Sequence, residues 1–123
     1  MHAPPHQVIR ELAASPRWCG YFAQSIRQWI AHPPEFYYDP LAPHAARIEM
    51  WCTDYLHVLN DVVDLVEWYK GTGLRPWLDA LPDDATRNRL LAEYHAALVP
   101  HFPPRSDGRI LFPFRRLFFI AYR

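Results

Sequence analysis

The side chain most constrained by its neighbours for work on a ligand is Arg75. It lies in Gly71-Thr72-Gly73-Leu74-Arg75-Pro76-Trp77-Leu78, where two glycines follow a helix-length apolar stripe and a cation sits between rigid, bulky residues. Gly71 or Gly73 can take the left-handed conformation that stops a helix, and Pro76 disfavours helical backbone at the residue before it. Arg75 is therefore expected to be extended, fixed in direction and presented on a ligand-facing turn. The competing reading is that the glycines only stop a helix and Arg75 is solvated.

Other chemistries find less support. Cys19 and Cys52 are the only cysteines and have no CxxC spacing, so two free thiols are expected, Cys52 among core residues and inert. His2 and His6 are four apart, but Pro4 and Pro5 keep them off one helical face, so no metal site is expected. Neither a P-loop nor a G-x-S-x-G motif occurs.

The elements that would position Arg75 are legible in the periodicity. Val62, Leu65, Val66 and Tyr69 make one apolar helical face, with Asn60 or Asp61 placed to cap its start. Upstream, Val8, Ile9 and Leu12 define a helix ending near Ser15-Pro16, and Phe22, Ile26, Trp29 and Ile30 define a second that stops at His32-Pro33-Pro34. Phe36 to Leu41 adds one more turn. Downstream, Leu81-Pro82-Asp83-Asp84 opens a helix whose stripe is Leu90, Leu91, Tyr94, Ala97 and Leu98.

Two stretches switch to period two and are expected to be strands, about 47–58 and 109–122. On the first, Ile48, Met50, Cys52, Leu56 and Val58 are expected to face a core. Glu49, Trp51, Thr53, Tyr55 and His57 face the other way, towards another element or a cleft. On the second, Ile110, Phe112, Phe114, Phe118, Ile120 and Tyr122 alternate with Leu111, Leu117, Phe119 and Ala121, and Pro113 implies an edge or a bulge. The fold class is α+β, with two long strands and about four helices. Two strands alone are marginal in water, so their outer edges are expected to meet another chain or a larger sheet.

With 123 residues, 50% of them hydrophobic, one small domain is expected. Thirteen basic and thirteen acidic side chains cancel, which excludes a general attraction to nucleic acid or anionic membrane. No run approaches the ~18 apolar residues of a membrane helix, and the N-terminus lacks the pattern of a secretory leader. A cytoplasmic location is the resulting expectation.

Trp51-x-Thr53-x-Tyr55-x-His57, Trp68, Thr72-Gly73-Leu74-Arg75-Pro76-Trp77-Leu78, Tyr94, Gly108-x-Ile110-Leu111 and Phe114-x-Arg116-Leu117-Phe118 resemble the C-terminal half of the trans-aconitate 2-methyltransferase family. Pro5-His6 and Arg10-Glu11 resemble the stretch after the fifth strand of that family's Rossmann-type sheet, so the likeness runs over nearly the whole chain. Arg115 stands where the family pattern has proline, a departure in the local backbone path.

The resemblance implies transfer of a methyl group from S-adenosylmethionine to a carboxylate of trans-aconitate. It also implies a partial Rossmann-type methyltransferase fold in one C-terminal portion, 1–123: a helical segment 1–45, a strand 46–58, a helical substrate lid 60–100 and a strand 108–123, the two strands antiparallel. The glycine-rich loop that holds the cofactor in such enzymes has no counterpart among Gly20, Gly71, Gly73 and Gly108, so no cofactor-binding residue is expected in this chain. Chain and cofactor site are thus expected to be separate, as in a truncated product, a gene fragment or half of a split enzyme that is inactive alone.

A carboxylate is already ionised at neutral pH, so the implied reaction needs no catalytic residue, only positioning. Arg75 is the first candidate to clamp the polycarboxylate and Arg116 the second, with Tyr55 and His57 as donors from one strand face and Trp77 as a wall. The bland alternatives are Arg116 packed on rings, His57 as a structural histidine and Tyr55 as a core ring. The rival function is a non-catalytic module that dimerises or recruits a missing N-terminal half through exposed strand edges.

Overall fold

The computed structural model describes residues 4–22, 26 and 32–123. The elements, in order, are α1 (Pro4–Ala14), α2 (Pro34–Leu41), β1 (Arg47–Leu59), α3 (Val62–Lys70), α4 (Arg75–Asp79), α5 (Asp84–Leu98) and β2 (Ile110–Tyr122). Single turns of tighter helix occupy Cys19–Phe22, Ala42–His44 and Val99–His101. The expected helix through Ile26, Trp29 and Ile30 lies mostly outside the described residues. The chain divides into two compact units, Met1–Trp29 with Val58–Phe112, and Ile30–His57 with Pro113–Arg123.

The first unit is helical and holds the core. Helix α3 begins where Asp61 accepts the backbone N–H of Asp64, and α5 begins where Asp83 accepts that of Thr86 at 2.7 Å. Each carboxylate satisfies a donor that the first turn leaves without an intrahelical partner. Val62, Leu65 and Val66 of α3 are buried, as are Leu90, Tyr94 and Leu98 of α5 and Val8, Ile9 and Ala13 of α1. The Tyr94 hydroxyl donates to the Pro5 carbonyl at 3.1 Å, which ties α5 to the start of α1. Glu93, one residue before it, accepts from the Trp18 indole N–H and pairs with Arg17. Arg87 donates to the carbonyls of Leu78 and Leu81, both at 3.0 Å, and so satisfies acceptors between α4 and α5.

The turn after α3 departs from expectation. Neither Gly71 nor Gly73 is left-handed; the one glycine with positive φ is Gly108, at 84°, in the turn before β2. Instead Leu74 N–H bonds to Tyr69 carbonyl at 2.9 Å and Arg75 N–H to Thr72 carbonyl at 3.1 Å, so the chain coils on into α4. Arg75 is accordingly the first helical residue rather than an extended one, and Pro76 occupies the second position, where its missing N–H costs no helical bond.

Gly73 is needed for space. A Cβ there would lie 3.0 Å from Tyr69 Cδ1 and 3.2 Å from His6 Cε1, whereas one at Gly71 would meet nothing within 4 Å. Gly73→Ala is expected to destabilise the chain by about 1–2 kcal/mol, while Gly71→Ala, at φ −87°, is expected to be neutral or stabilising. Urea unfolding of the two variants checks this. Equal effects would mean that Gly73 does not sit against those rings.

The two strands pair with each other in a two-stranded sheet. Arg47 meets Tyr122, Trp51 meets Phe118, Asp54 meets Arg115 and Tyr55 meets Phe114, so residue numbers rise on one strand as they fall on the other. The ribbon is antiparallel. Strand β2 runs through Pro113 and Arg115 unbroken, because each strand of a two-stranded sheet has an open edge where proline costs no ladder bond.

The expected inner face of β1 holds at its start, where Ile48 and Met50 are half-buried and Glu49 and Trp51 exposed, and reverses beyond Trp51. Leu56 is 68% and Val58 58% exposed, and Cys52 is exposed as well, whereas Thr53, Tyr55 and His57 are half-buried. In the helical unit the end of the ribbon is buried through Ile110 and Phe112, with Phe112 edge-on to Trp68, Tyr69 and Phe102. Within the ribbon unit, Tyr55, His57 and Phe114 cover one another by stacking. On the aliphatic side α2 is only 8 residues long and lays Tyr37 against Phe119. Aromatic area on one face thus takes the burial that alternation alone assigned to the other.

Candidate functional site

Two of the five candidate residues belong to the helical unit. Arg75 is solvent-facing, its Nε 3.5 Å from the Asp79 carboxylate one turn on, with both side chains over 60% exposed. A pair this loose and wet contributes little and leaves the guanidinium available to a stronger anion. Trp77 is 6% exposed and packs edge to face on Phe22, 5.2 Å between centroids. Its ring is part of the core.

The other three, Tyr55, His57 and Arg116, lie in the ribbon unit and are brought together. Strand alternation puts Tyr55 and His57 on one face of β1 and Phe114 and Arg116 on the same face of β2. The His57 and Phe114 rings stack 4.8 Å apart at 6°, and Tyr55 and Phe114 stack 5.0 Å apart at 15°. The Arg116 guanidinium sits 5.0 Å from the Phe114 centroid and 5.5 Å from that of Tyr55. A cation over ring faces is held by their negative quadrupoles while its N–H edges stay outward.

Phe114 is the member of this group that sequence reasoning passed over. Its signal was present: it precedes Arg116 by two on the same strand, so it had to share a face with it. Arg115, pointing the other way, donates from Nε to Asp54 at 2.7 Å and from its second terminal nitrogen at 3.3 Å. That hydrogen bond, more than the charge itself, holds the Asp54 carboxyl below its usual range and raises the arginine. Adjacent arginines therefore differ in kind. Arg115 is neutralised by a carboxylate, and Arg116 has no ion pair among the described residues.

A hollow of about 460 Å³ lies on the Arg115 side, with Tyr37, Cys52, Leu117 and Phe119 in its lining. Its cation is the one bonded to Asp54, which makes it the poorer place for an anion. No group of three or more His, Cys, Asp or Glu able to hold a metal occurs among the described residues. None of the described helices is long and apolar enough to cross a membrane.

No protein-family profile matches the chain. Individual proteins do, and over nearly its whole length it is a homologue of methyltransferase enzymes. The relatives are trans-aconitate 2-methyltransferases. The one from Azoarcus sp. (strain BH72) is 46% identical over 120 residues, 98% of this chain and 46% of that protein. That of Rhodopseudomonas palustris (strain BisB5) is 41% identical over 121 residues, 98% of this chain and 47% of the relative. That of Agrobacterium fabrum (strain C58) is 36% identical over 124 residues, all of this chain and 48% of the relative. The chain spans about half the length of the curated relatives it matches.

The glycine-containing turns among the described residues differ from the usual seat of a nucleoside-bearing ligand. Such a seat is usually a glycine-rich turn that leads from a strand into a helix and leaves the helix N-terminus open. The connection from β1 to α3 is Asn60-Asp61, without glycine, and the Asp61 carboxylate already occupies that helix N-terminus. Gly71 and Gly73 follow a helix, and Gly108 lies in a turn between a helix and a strand.

Proposed function

We propose that this chain is the acceptor-binding, C-terminal part of a trans-aconitate 2-methyltransferase. On this reading S-adenosylmethionine is held by polypeptide corresponding to the other half of the relatives, and the chain is inactive without it. The observation that carries the reading is the match of 98% of this chain to about half of proteins that share one name. Helices α3 to α5 are the substrate lid on this reading, with Arg75 as the candidate group of the helical unit, and Arg116, Tyr55 and His57 are the candidate groups of the ribbon unit. A carboxylate acceptor is anionic at neutral pH, so the demands on this chain are charge, donors and apolar walls. The site is cytoplasmic on this reading.

Titration of the purified chain tests it. Trans-aconitate at a hundredfold excess over its dissociation constant is expected to stabilise the chain by about 2.7 kcal/mol and raise the melting temperature by several degrees. S-adenosylmethionine is expected to release no heat. Co-expression with the half of the Azoarcus protein that this chain does not match is expected to yield the methyl ester, which neither part yields alone. A chain that binds the donor and ignores trans-aconitate would overturn the proposal.

A second reading, a non-catalytic interaction module, is favoured by one observation. Leu56, Val58 and Leu111 are exposed on one side of a ribbon whose two outer edges are open. Sedimentation distinguishes the two: a concentration-dependent dimer supports the module, and a monomer at all concentrations removes it.

A further inference from the structure

On the Arg116 face of the ribbon, the rung between two aromatic rungs is unlike its neighbours. Trp51 and Phe118 stack across the strands at 5.5 Å and 15°, and Tyr55 and Phe114 at 5.0 Å and 15°. Antiparallel register puts Thr53 opposite Arg116 between them, on the same face. Thr53 is half-buried, and its hydroxyl has no hydrogen-bond partner among the described residues. A cation and a hydroxyl donor therefore lie side by side at cross-strand spacing, with stacked rings above and below.

From this we propose that the Thr53–Arg116 rung is a carboxylate anchor, with Thr53 as a binding residue beside Arg116. The inference rests on the acceptor-binding reading and adds to it which rung grips the acid and what shape of acid it takes. Arg116 offers its N–H edge to one carboxylate, and the Thr53 hydroxyl donates to the same group. The Tyr55 and Phe114 rings hold the guanidinium in place, because cation and ring faces attract. The two stacked ring pairs bound the rung on either side, so what the carboxylate carries must fit a slot one rung wide, which a planar, unsaturated polycarboxylate enters more readily than a saturated, tetrahedral one. Charge complementarity names the occupant as a small anion, since Arg116 has no counter-ion among the described residues and the neighbouring Arg115 has one.

The test is a titration of the isotope-labelled chain, followed by NMR through the arginine Nε and backbone amide signals, with trans-aconitate and with citrate as probes. Trans-aconitate is expected to shift Arg116 Nε and the amides of residues 51–55 and 114–118 saturably, at least threefold more tightly than citrate. Arg116→Lys is expected to weaken trans-aconitate about tenfold or more, because the planar fork is lost although the charge remains. Thr53→Val is expected to weaken it severalfold, and Thr53→Ser to restore it, a rescue that a purely structural threonine would not show. Far-UV circular dichroism of each variant confirms the fold before its affinity is read. Binding that shifts Arg75 and leaves Arg116 and its variants unaffected would overturn the anchor and leave the acceptor-binding reading standing. No saturable shift at any arginine would overturn both.

Discussion

Replacing Leu65 by alanine is expected to cost the helical unit about 2–5 kcal/mol, a large part of the stability of any domain this size. Leu65 is fully buried on the face of α3 that also carries Val62 and Val66, so truncation removes transfer free energy and leaves a void that its neighbours cannot fill. Leu65→Met keeps the volume and should cost less than about 1.5 kcal/mol. Val63, on the same helix but 50% exposed, should tolerate alanine within about 0.5 kcal/mol. Urea unfolding of the three variants, followed by circular dichroism, orders them. A Leu65→Ala loss no greater than that of Val63→Ala would mean that α3 does not pack through this face.

Those helices were legible because amphipathic spacing and capping residues speak of the same boundaries. Asp61 and Asp83 do what a carboxylate before an apolar stripe is expected to do, and the expected stripes are buried through Val62, Leu65 and Val66 of α3 and Leu90, Tyr94 and Leu98 of α5. Strand boundaries were legible too, within one residue at each place where they differ. What alternation could not say was which ribbon face is covered. A period of two separates the faces, and only the surroundings choose between them. Aliphatic Leu56 and Val58 are more hydrophobic than Tyr55 and His57, yet they are exposed, while stacking with Phe114 shelters Tyr55 and His57.

The candidate site divided along the same line. Arg75 stood out in the sequence because glycine and proline flank it, but those residues serve close packing at Gly73 and the start of α4. Arg116 drew less notice, since an arginine among phenylalanines reads as packing. Phe114 shares its face by alternation within one strand, but Tyr55, the other ring beneath the guanidinium, is paired with it only by register, and register is a long-range property that no local window contains. The consequence for function is a change of emphasis: among the arginines proposed for the acceptor, Arg116 has the more ordered surroundings and Arg75 the more open ones.

Stability is expected to fall steeply in alkali between about pH 10 and pH 12, through two tyrosines of the helical core. Burial pushes the Tyr69 hydroxyl up to about 12, and Tyr94 is raised in the same direction, first by burial and then by the charge that Tyr69 would carry. Both folded values exceed the unfolded value near 10, so below pH 10 each state is protonated and the full stability is present. Above it the unfolded chain loses these protons and the folded chain keeps them, which favours unfolding by at most about 1.4 kcal/mol per pH unit for each group. Tyr69 is only half-buried, and water at its exposed edge lowers its share. Tyr94 is 1% exposed, and its hydroxyl must also give up the Pro5 carbonyl to ionise. Lys70 is the only lysine, so few other positive charges are lost in that window and the tyrosines dominate it. Absorbance at 295 nm should show two of the seven tyrosines titrating last, together with the loss of helix. Tyr69→Phe should flatten the pH dependence of the urea midpoint above pH 10 and leave it unchanged at pH 7 to within about 1 kcal/mol. Seven tyrosines ionising together near pH 10, with the helical signal intact, would contradict the burial of this pair.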